Sequence, residues 1–558
     1  MAISKKLSIL LSILLVLSSL SPASAEWTVP DPPSSEPHLG ILGKGIVESH
    51  TNQALPTFLS FEADTYTMGS KVTKVTKCTE FPSPACPFSQ FQRYRSPLGM
   101  CTDFLTDCVE KVIAEREGKS LEVIFKRYFP EKGAEGFVGS DEYNLPTSGN
   151  TFLVSIPEAI HEFGDHYLVA AVLTGERWPY KNSAFVTQSF EVAIWPVRLL
   201  SGYYPKFREA STPSEYSGLG INAGYGGSCG YGEVQTTGNE CARKTEPPKG
   251  LTLGIKLRLK TSVSGWFSGR VSNVEMNIAL NEKREQLIEL KGQYVVVPTV
   301  FAWAKRTDLP NNLKQFYERI GKFATEMGSG YGSGLLRNPG NSEYGMEELS
   351  YWMPLANDRA VARESSWYLR AVIQDISSNC PSPNDRVIGN VTTNATTFIP
   401  GPPKFNSTTQ SLDYKVLAPH YLEDGSEFQG TYDLNIDSEV ARCVYGFSNA
   451  PISATVSIVS ESGENKIAVT KVSQKNGFIN LGAYGFTFSN PTLRVTLTQE
   501  KPAESLSTPT SSIPTVSSSG AVITKKSVTK KTTTCVKGKV TRKITGVKSK
   551  CPPGFVKR

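Results

Sequence analysis

Histidine is scarce in this chain, with five among 558 residues, and no two cysteines form a C-x-x-C pair. The ligand spacings of structural zinc sites are therefore not met, and a catalytic centre built on imidazole has few side chains to draw on. No G-x-G-x-x-G precedes a helix, because Gly328 to Gly334 has the wrong spacing and follows a helical pattern, so no cofactor is expected. Long apolar runs are missing beyond the N-terminal segment. The longest, Tyr167 to Leu173 and Tyr294 to Ala304, fall short of the roughly 20 residues that span a bilayer, and Pro298 breaks the second. Acidic residues are absent from Ala521 to Arg558, where 12 Lys or Arg stand.

What is present at the N-terminus reads as a secretory signal. Lys5 and Lys6 precede the apolar run Leu7 to Leu20, and Ala23-Ser24-Ala25 offers a small-residue cleavage site, so the mature chain is expected to begin at Glu26 with no transmembrane anchor. The ten cysteines form an even set in local clusters, as suits an oxidising compartment. Local spacing favours Cys229 with Cys241 and Cys535 with Cys551, while Cys380 with Cys443 would tie the Asn/Thr/Pro-rich entry segment to the C-terminal unit. Cys78, Cys86, Cys101 and Cys108 allow three pairings, and the local pairs Cys78 with Cys86 and Cys101 with Cys108 are favoured. Of 59 Lys and Arg, 12 lie in the tail and two in the signal, leaving 45 against 52 acidic residues. The body is thus mildly acidic and the tail strongly basic.

Short β-branched and aromatic runs between Gly, Pro, Asn and Ser clusters predict a mainly β fold of several antiparallel sandwich-like units. Candidate strands are Leu121 to Phe129, Thr151 to Ile156, His166 to Leu173, Phe190 to Leu200, Leu251 to Leu259, Tyr294 to Phe301 and Ile452 to Ser460. One connecting helix is expected near 310–327, opened by Pro310, carrying Leu313, Phe316, Ile320 and Phe323 on one face and stopped by Gly328. The division expected is a signal (1–25), β-rich units at 26–210 and 211–309, a helix-containing connector (310–380) and a C-terminal β-sandwich (381–500). A Ser/Thr/Pro linker (501–534) and a basic hairpin tail (535–558) follow. Asn379 to Pro403 reads as an Asn/Thr/Pro-rich break, and its sequons at Asn390 and Asn394, with Asn406, as linker composition rather than glycosylation. From Lys501 to Thr534, 19 of 34 residues are Ser, Thr or Pro, too polar to order themselves.

Gly265-Trp266-Phe267-Ser268-Gly269-Arg270, Val391 to Phe405 (VTTNATTFIPGPPKF), Leu412 to His420 (LDYKVLAPH) and Ala441 to Pro451 (ARCVYGFSNAP) carry a resemblance. They resemble segments of a family of exported, uncharacterised actinobacterial proteins with a β-rich body and a basic two-cysteine C-terminal tail. The terminal CVKGKVTRKITGVKSKCPPGF is similar to a tail module appended to otherwise unrelated secreted actinobacterial proteins. The resemblance implies export and a Gram-positive origin, and supplies no catalytic residue.

Three strings invite a chemical reading. His161-Glu162-Phe163-Gly164-Asp165-His166 approaches a zinc-protease pattern, but that chemistry needs two histidines four apart on a helix, and here the spacing is five between strand-like flanks. A polar turn is the plainer reading, and Glu162 with Asp165 are few ligands for calcium. Gly226-Gly227-Ser228-Cys229-Gly230 satisfies G-x-S-x-G, yet no helix pattern follows Ser228, so a disulfide-tied loop is expected. Trp266, Phe267, Trp352, Trp367 and Tyr368 suit either a sugar-stacking platform or core, and strand-like settings favour core.

The tail is different, because there the functional reading is favoured. Lys537, Lys539, Arg542, Lys543, Lys548 and Lys550 lie between Cys535 and Cys551, whose disulfide would contribute about 3 kcal/mol to a unit too small for a core. Alternation in Val536 to Ile544 predicts a hairpin presenting these cations outward to an anionic cell-wall polymer or envelope surface. The expected function is a secreted or cell-wall-associated, non-enzymatic surface protein tethered by its tail, without specific nucleic-acid binding. A carbohydrate-binding or adhesive protein is the second reading, and a hydrolase using His161, Glu162 and His166, or Ser228, the third.

Overall fold

The computed structural model describes residues 57 to 499 except 68–69, 103–105, 130–135, 180–183, 202–233, 236–239, 262, 306–308, 322–332, 338–340, 363–364, 373–385, 449–451, 460–464, 468 and 489–491, and in the tail 531–537, 540–546 and 555–557. The expected signal, the Gly-rich stretch holding Ser228 and Cys229, Cys380, and the Ser/Thr/Pro segment to 530 lie outside them. The fold is mainly β, as the alternation requires, with antiparallel pairing dominant. Two compact units divide between Lys501 and Pro502.

A 15-stranded sheet organises the first unit. From one edge its order runs Ser70–Cys78, Phe58–Thr67, Phe91–Pro97, His166–Arg177, Val186–Ser201, Tyr368–Val372 and Gly265–Arg270. It continues through Val387–Thr393, Gln429–Asp437 and Phe478–Thr487 to the far edge, Val469–Lys475. Strands far apart in sequence are neighbours here. Gly265–Arg270 pairs antiparallel with Tyr368–Val372 and parallel with Val387–Thr393, so pairing runs across the boundaries expected near 309 and 380.

Two smaller sheets cover opposite faces of this wall. The five-stranded sheet, ordered Ser272–Leu280, Gln286–Gln293, Leu251–Leu259, Cys108–Arg116 and Lys119–Ser120, buries Val112, Leu253, Leu257 and Ile288 in one core with Tyr94, Leu173 and Val192 of the wall. The six-stranded sheet contains Ser411–Leu417, Ile452–Val459 and Thr492–Gln499, and shares a second core with Tyr432, Leu434 and Ile436 of the wall. Each fully buried Leu, Ile or Val contributes about 1.5–3 kcal/mol, so both interfaces stabilise the same sheet from its two sides. Strand His166–Arg177 is buried almost throughout, because Leu168 and Ala170 face a third cluster containing Trp195.

Several expectations need correction. Val387–Thr393 is no linker: every residue is buried, with Val391 in the core and Asn390 paired to Asn435. Its Asn and Thr content misled because those side chains are buried between strands, where Asn390 Oδ1 accepts from Asn435 and Thr393 Oγ1 accepts from the Ala395 N–H, rather than facing water. The strand expected at Tyr294 to Phe301 is two pieces, Val295–Val296 and Phe301–Lys305, separated around Pro298, which has no N–H to give a ladder. The helix opened by Pro310 spans Asn311–Arg319 and ends before Gly321, whose φ is +68°. Two further helices, Glu343–Trp352 and Ser438–Tyr445, were not expected.

In the second unit, Lys531–Lys537 pairs antiparallel with Val540–Gly546, and Val556–Lys557 adds a third strand.

Candidate functional site

The His161 turn closes as a polar hairpin between strands Phe152–Ser155 and His166–Arg177. The His161 ring is 6% exposed. Its Nε2 lies 3.0 Å from the carbonyl oxygen of His166, and its Nδ1 accepts from the Phe163 N–H at 3.3 Å. Both ring nitrogens therefore serve the turn and have no lone pair to spare for a metal or a substrate proton. Burial lowers the His161 pKa, favouring the neutral ring that these bonds require. Glu162 is exposed, and the Ser155 hydroxyl donates to Asp165, which is also paired with His166 at 3.1 Å. Ser155 touches the carboxylate rather than the imidazole, so the order of a nucleophilic triad is not formed. Among the described residues no cluster of three or more His, Cys, Asp or Glu could hold a metal ion.

His420, in a separate region, donates from Nδ1 to the Asp358 carboxylate, and its backbone N–H donates to the same carboxylate at 3.0 Å. Asn357 and Asp358 adopt left-handed φ angles of 52° and 54°, which turn the Asp358 side chain back toward residue 420. The expected aromatic platform is core: Trp266, Phe267, Trp352 and Trp367 are 0% exposed and Tyr368 is 6% exposed.

Cys78 pairs with Cys86 and Cys101 with Cys108, at Cα separations of 5.6 and 4.9 Å. Cys443 is disulfide-bonded. The partner expected for it, Cys380, lies outside the described residues, as do Cys229 and Cys551, so the Cys229–Cys241 and Cys535–Cys551 pairings fall there too. In the tail, Lys537, Arg542 and Lys543 stand on strands, whereas Lys539, Lys548 and Lys550 are outside the description. Register places position 537 and position 542 on the side of Cys535, and position 543 on the side of Thr534. The cationic positions thus divide between both faces of the ribbon. No protein-family model matches the chain, and no curated protein matches it.

A cleft of about 360 Å³ opens where the two-sheet core ends. Along Gln429–Asp437, Leu434 and Ile436 point to the six-stranded sheet, so Asp433 and Asn435 face the other way, toward Ser272–Leu280. Register extends this polar face across the wall: Asn390, Asn435, Asn480 and Ser473 stand side by side on four adjacent strands. Asn435 Nδ2 donates to Asn390 Oδ1 at 2.5 Å and to the Val274 carbonyl at 3.3 Å, while the Asn273 N–H donates to Asp433 at 3.1 Å. These bonds hold the two sheets together at one end of the cleft.

At the rim, Lys475 reaches across to Glu275 at 3.1 Å, and Lys291 lies between Glu275 at 3.6 Å and Glu115 at 3.2 Å. Partial burial would raise the Glu275 pKa, but the two ammonium groups outweigh it and hold the carboxyl below its ordinary value. Tyr484 donates from its hydroxyl to Asp433 at 2.5 Å, and burial, with that nearby charge, pushes its phenol well up. Gly482 makes room for this ring: a Cβ there would stand 2.4 Å from the Tyr484 oxygen. Nothing in the linear spacing of these residues marks the cleft. The one legible signal is the polar phase of strand 429–437, where Asp433, Asn435 and Asp437 alternate with apolar residues.

Proposed function

We propose that this chain is an exported, non-enzymatic protein of a Gram-positive, actinobacterial cell surface, whose basic tail holds it to an anionic cell-wall polymer. The observation that carries the reading is the tail itself: a sheet belonging to a compact unit of its own, in a segment with 12 cations and no acid. Such a module gains counterion entropy on meeting a polyanion without needing a shaped pocket. The two local disulfides and the bonded Cys443 suit oxidation outside the cell. Occupied nitrogens on His161 remove the base that a hydrolase at that turn would need.

The test is sedimentation with purified cell-wall fragments across a salt series. Binding is expected to fall steeply as the Debye length shrinks from about 10 Å at 0.1 M to about 3 Å at 1 M. Replacing Lys537, Lys539, Arg542 and Lys543 with Gln is expected to remove most of it. Undiminished binding by the Gln variant at low salt would overturn the electrostatic tether.

A further inference from the structure

We propose that the cleft between Ser272–Leu280 and the polar face of the large sheet binds a neutral saccharide, one or two sugar units long. Its size sets the class first. About 360 Å³ is at the lower end of the roughly 300–1,000 Å³ of small-molecule pockets, too small for a folded partner.

Charge then narrows it. The lining lysines are discharged within the protein, Lys475 on Glu275 and Lys291 on Glu275 and Glu115. Asp433 is engaged by the Tyr484 hydroxyl and the Asn273 N–H. An anionic ligand would meet the Glu289 carboxylate with no cation left to balance it. A metal ion lacks ligands, since no three acidic or imidazole groups converge among the described residues.

What stays available is the hydrogen-bonding capacity of neutral side chains beside one carboxylate, with no free cation among the described lining residues. Among the described residues the side chains of Asn277, Ser473, Asn476 and Glu289 take no protein partner, and all four line the cleft. Asn277 and Glu289 are directly opposed across the strand pair, and Ser473 is opposed to Asn480. An amide offers donors and an acceptor in one plane, and a hydroxyl or carboxylate beside it completes the set, which matches adjacent sugar hydroxyls that both donate and accept. Tyr484 supplies the apolar plate. Its ring lies over Gly482 and its hydroxyl is anchored on Asp433, so it is pre-oriented for a sugar face.

This site is independent of the tail. Isothermal titration calorimetry of the full chain, against cello-, malto-, manno- and chito-oligosaccharides and against oligogalacturonate as the anionic control, tests it. At least one neutral series is expected to bind with a Kd of about 1 mM or tighter. Asn277→Trp, at an exposed strand position, fills the cleft and is expected to weaken that binding at least about tenfold with an unchanged thermal midpoint. Should Asn277→Trp misfold, Ser473→Ala with Glu289→Gln reads the same loss with smaller side chains. The four-site Gln variant of the tail is expected to bind the saccharide as the parent does, even where it has lost cell-wall attachment. Absence of binding to every neutral series, binding of the anionic control alone, or full affinity in the cleft variants would each overturn the assignment.

Discussion

Single side chains decide several features that look alike in one dimension. Three other glycines share the arrangement of Gly482: a Cβ at Gly389 would stand 2.4 Å from the Trp266 ring, one at Gly175 2.3 Å from Tyr94, and one at Gly430 2.3 Å from Phe486. Each of those three is directly opposed to its aromatic across the strand pair, so the large ring fills the space that the missing side chain leaves. His161 illustrates a different constraint. Its pKa is lowered by burial, which outweighs the opposing effects of its bond to the His166 carbonyl and of the Asp165 carboxylate. The unfolded chain therefore binds the proton more readily, so the contribution of His161 is fully present above its ordinary value of 6.5 and is lost as pH falls through the lower folded value. Thermal midpoints of the parent and His161→Gln, taken from about pH 7.5 to about pH 5, are expected to converge on acidification. A gap that widens toward acid would show that the protonated ring is the stabilising form.

At the scale of elements, helix Ser438–Tyr445 shows how a polar end can be set into a buried sheet. Asp437 closes strand Gln429–Asp437 and caps the helix, its Oδ1 accepting from the Glu439 and Val440 N–H groups at 2.8 and 3.2 Å. Its Oδ2 takes Arg386 at 2.9 Å, and Gly446, at φ +68°, ends the helix after two turns. Ser342 caps the other unexpected helix by accepting from the Gly345 N–H at 3.1 Å, where Leu349 and Trp352 bury against Leu313 and Phe316. Asp437→Ala is expected to cost about 1–3 kcal/mol, since it removes a cap and strands a half-buried guanidinium, and Asp437→Ser about half as much. Urea-unfolding midpoints measure both. Equal losses in the two variants would assign the whole effect to the Arg386 pair.

At the scale of the molecule, one sheet serves as the shared wall of two sandwiches, and the cleft lies where one covering sheet stops short of the polar strands. Among the described residues, every member of those two cores lies at or before Leu497. A chain stopped at Gly520 is accordingly expected to unfold at the same temperature as the parent, within about 1 °C by calorimetry. A drop of several degrees would reveal packing on the body. The mainly β class, the strand at Leu251–Leu259 and the helix opened by Pro310 were determined by local pattern, because period and turn chemistry act over a few residues. The charge contrast between body and tail is likewise a property of composition alone. Tertiary structure decided the rest. Whether Asn390 belongs to a linker or to the middle of a sheet, and whether Trp266 stacks on a ligand or on Gly389, depends on partners far away in sequence. The cleft exists only because Glu275 and Asn277 are brought against Asn435, Ser473 and Lys475 by strand pairings that no local spacing encodes.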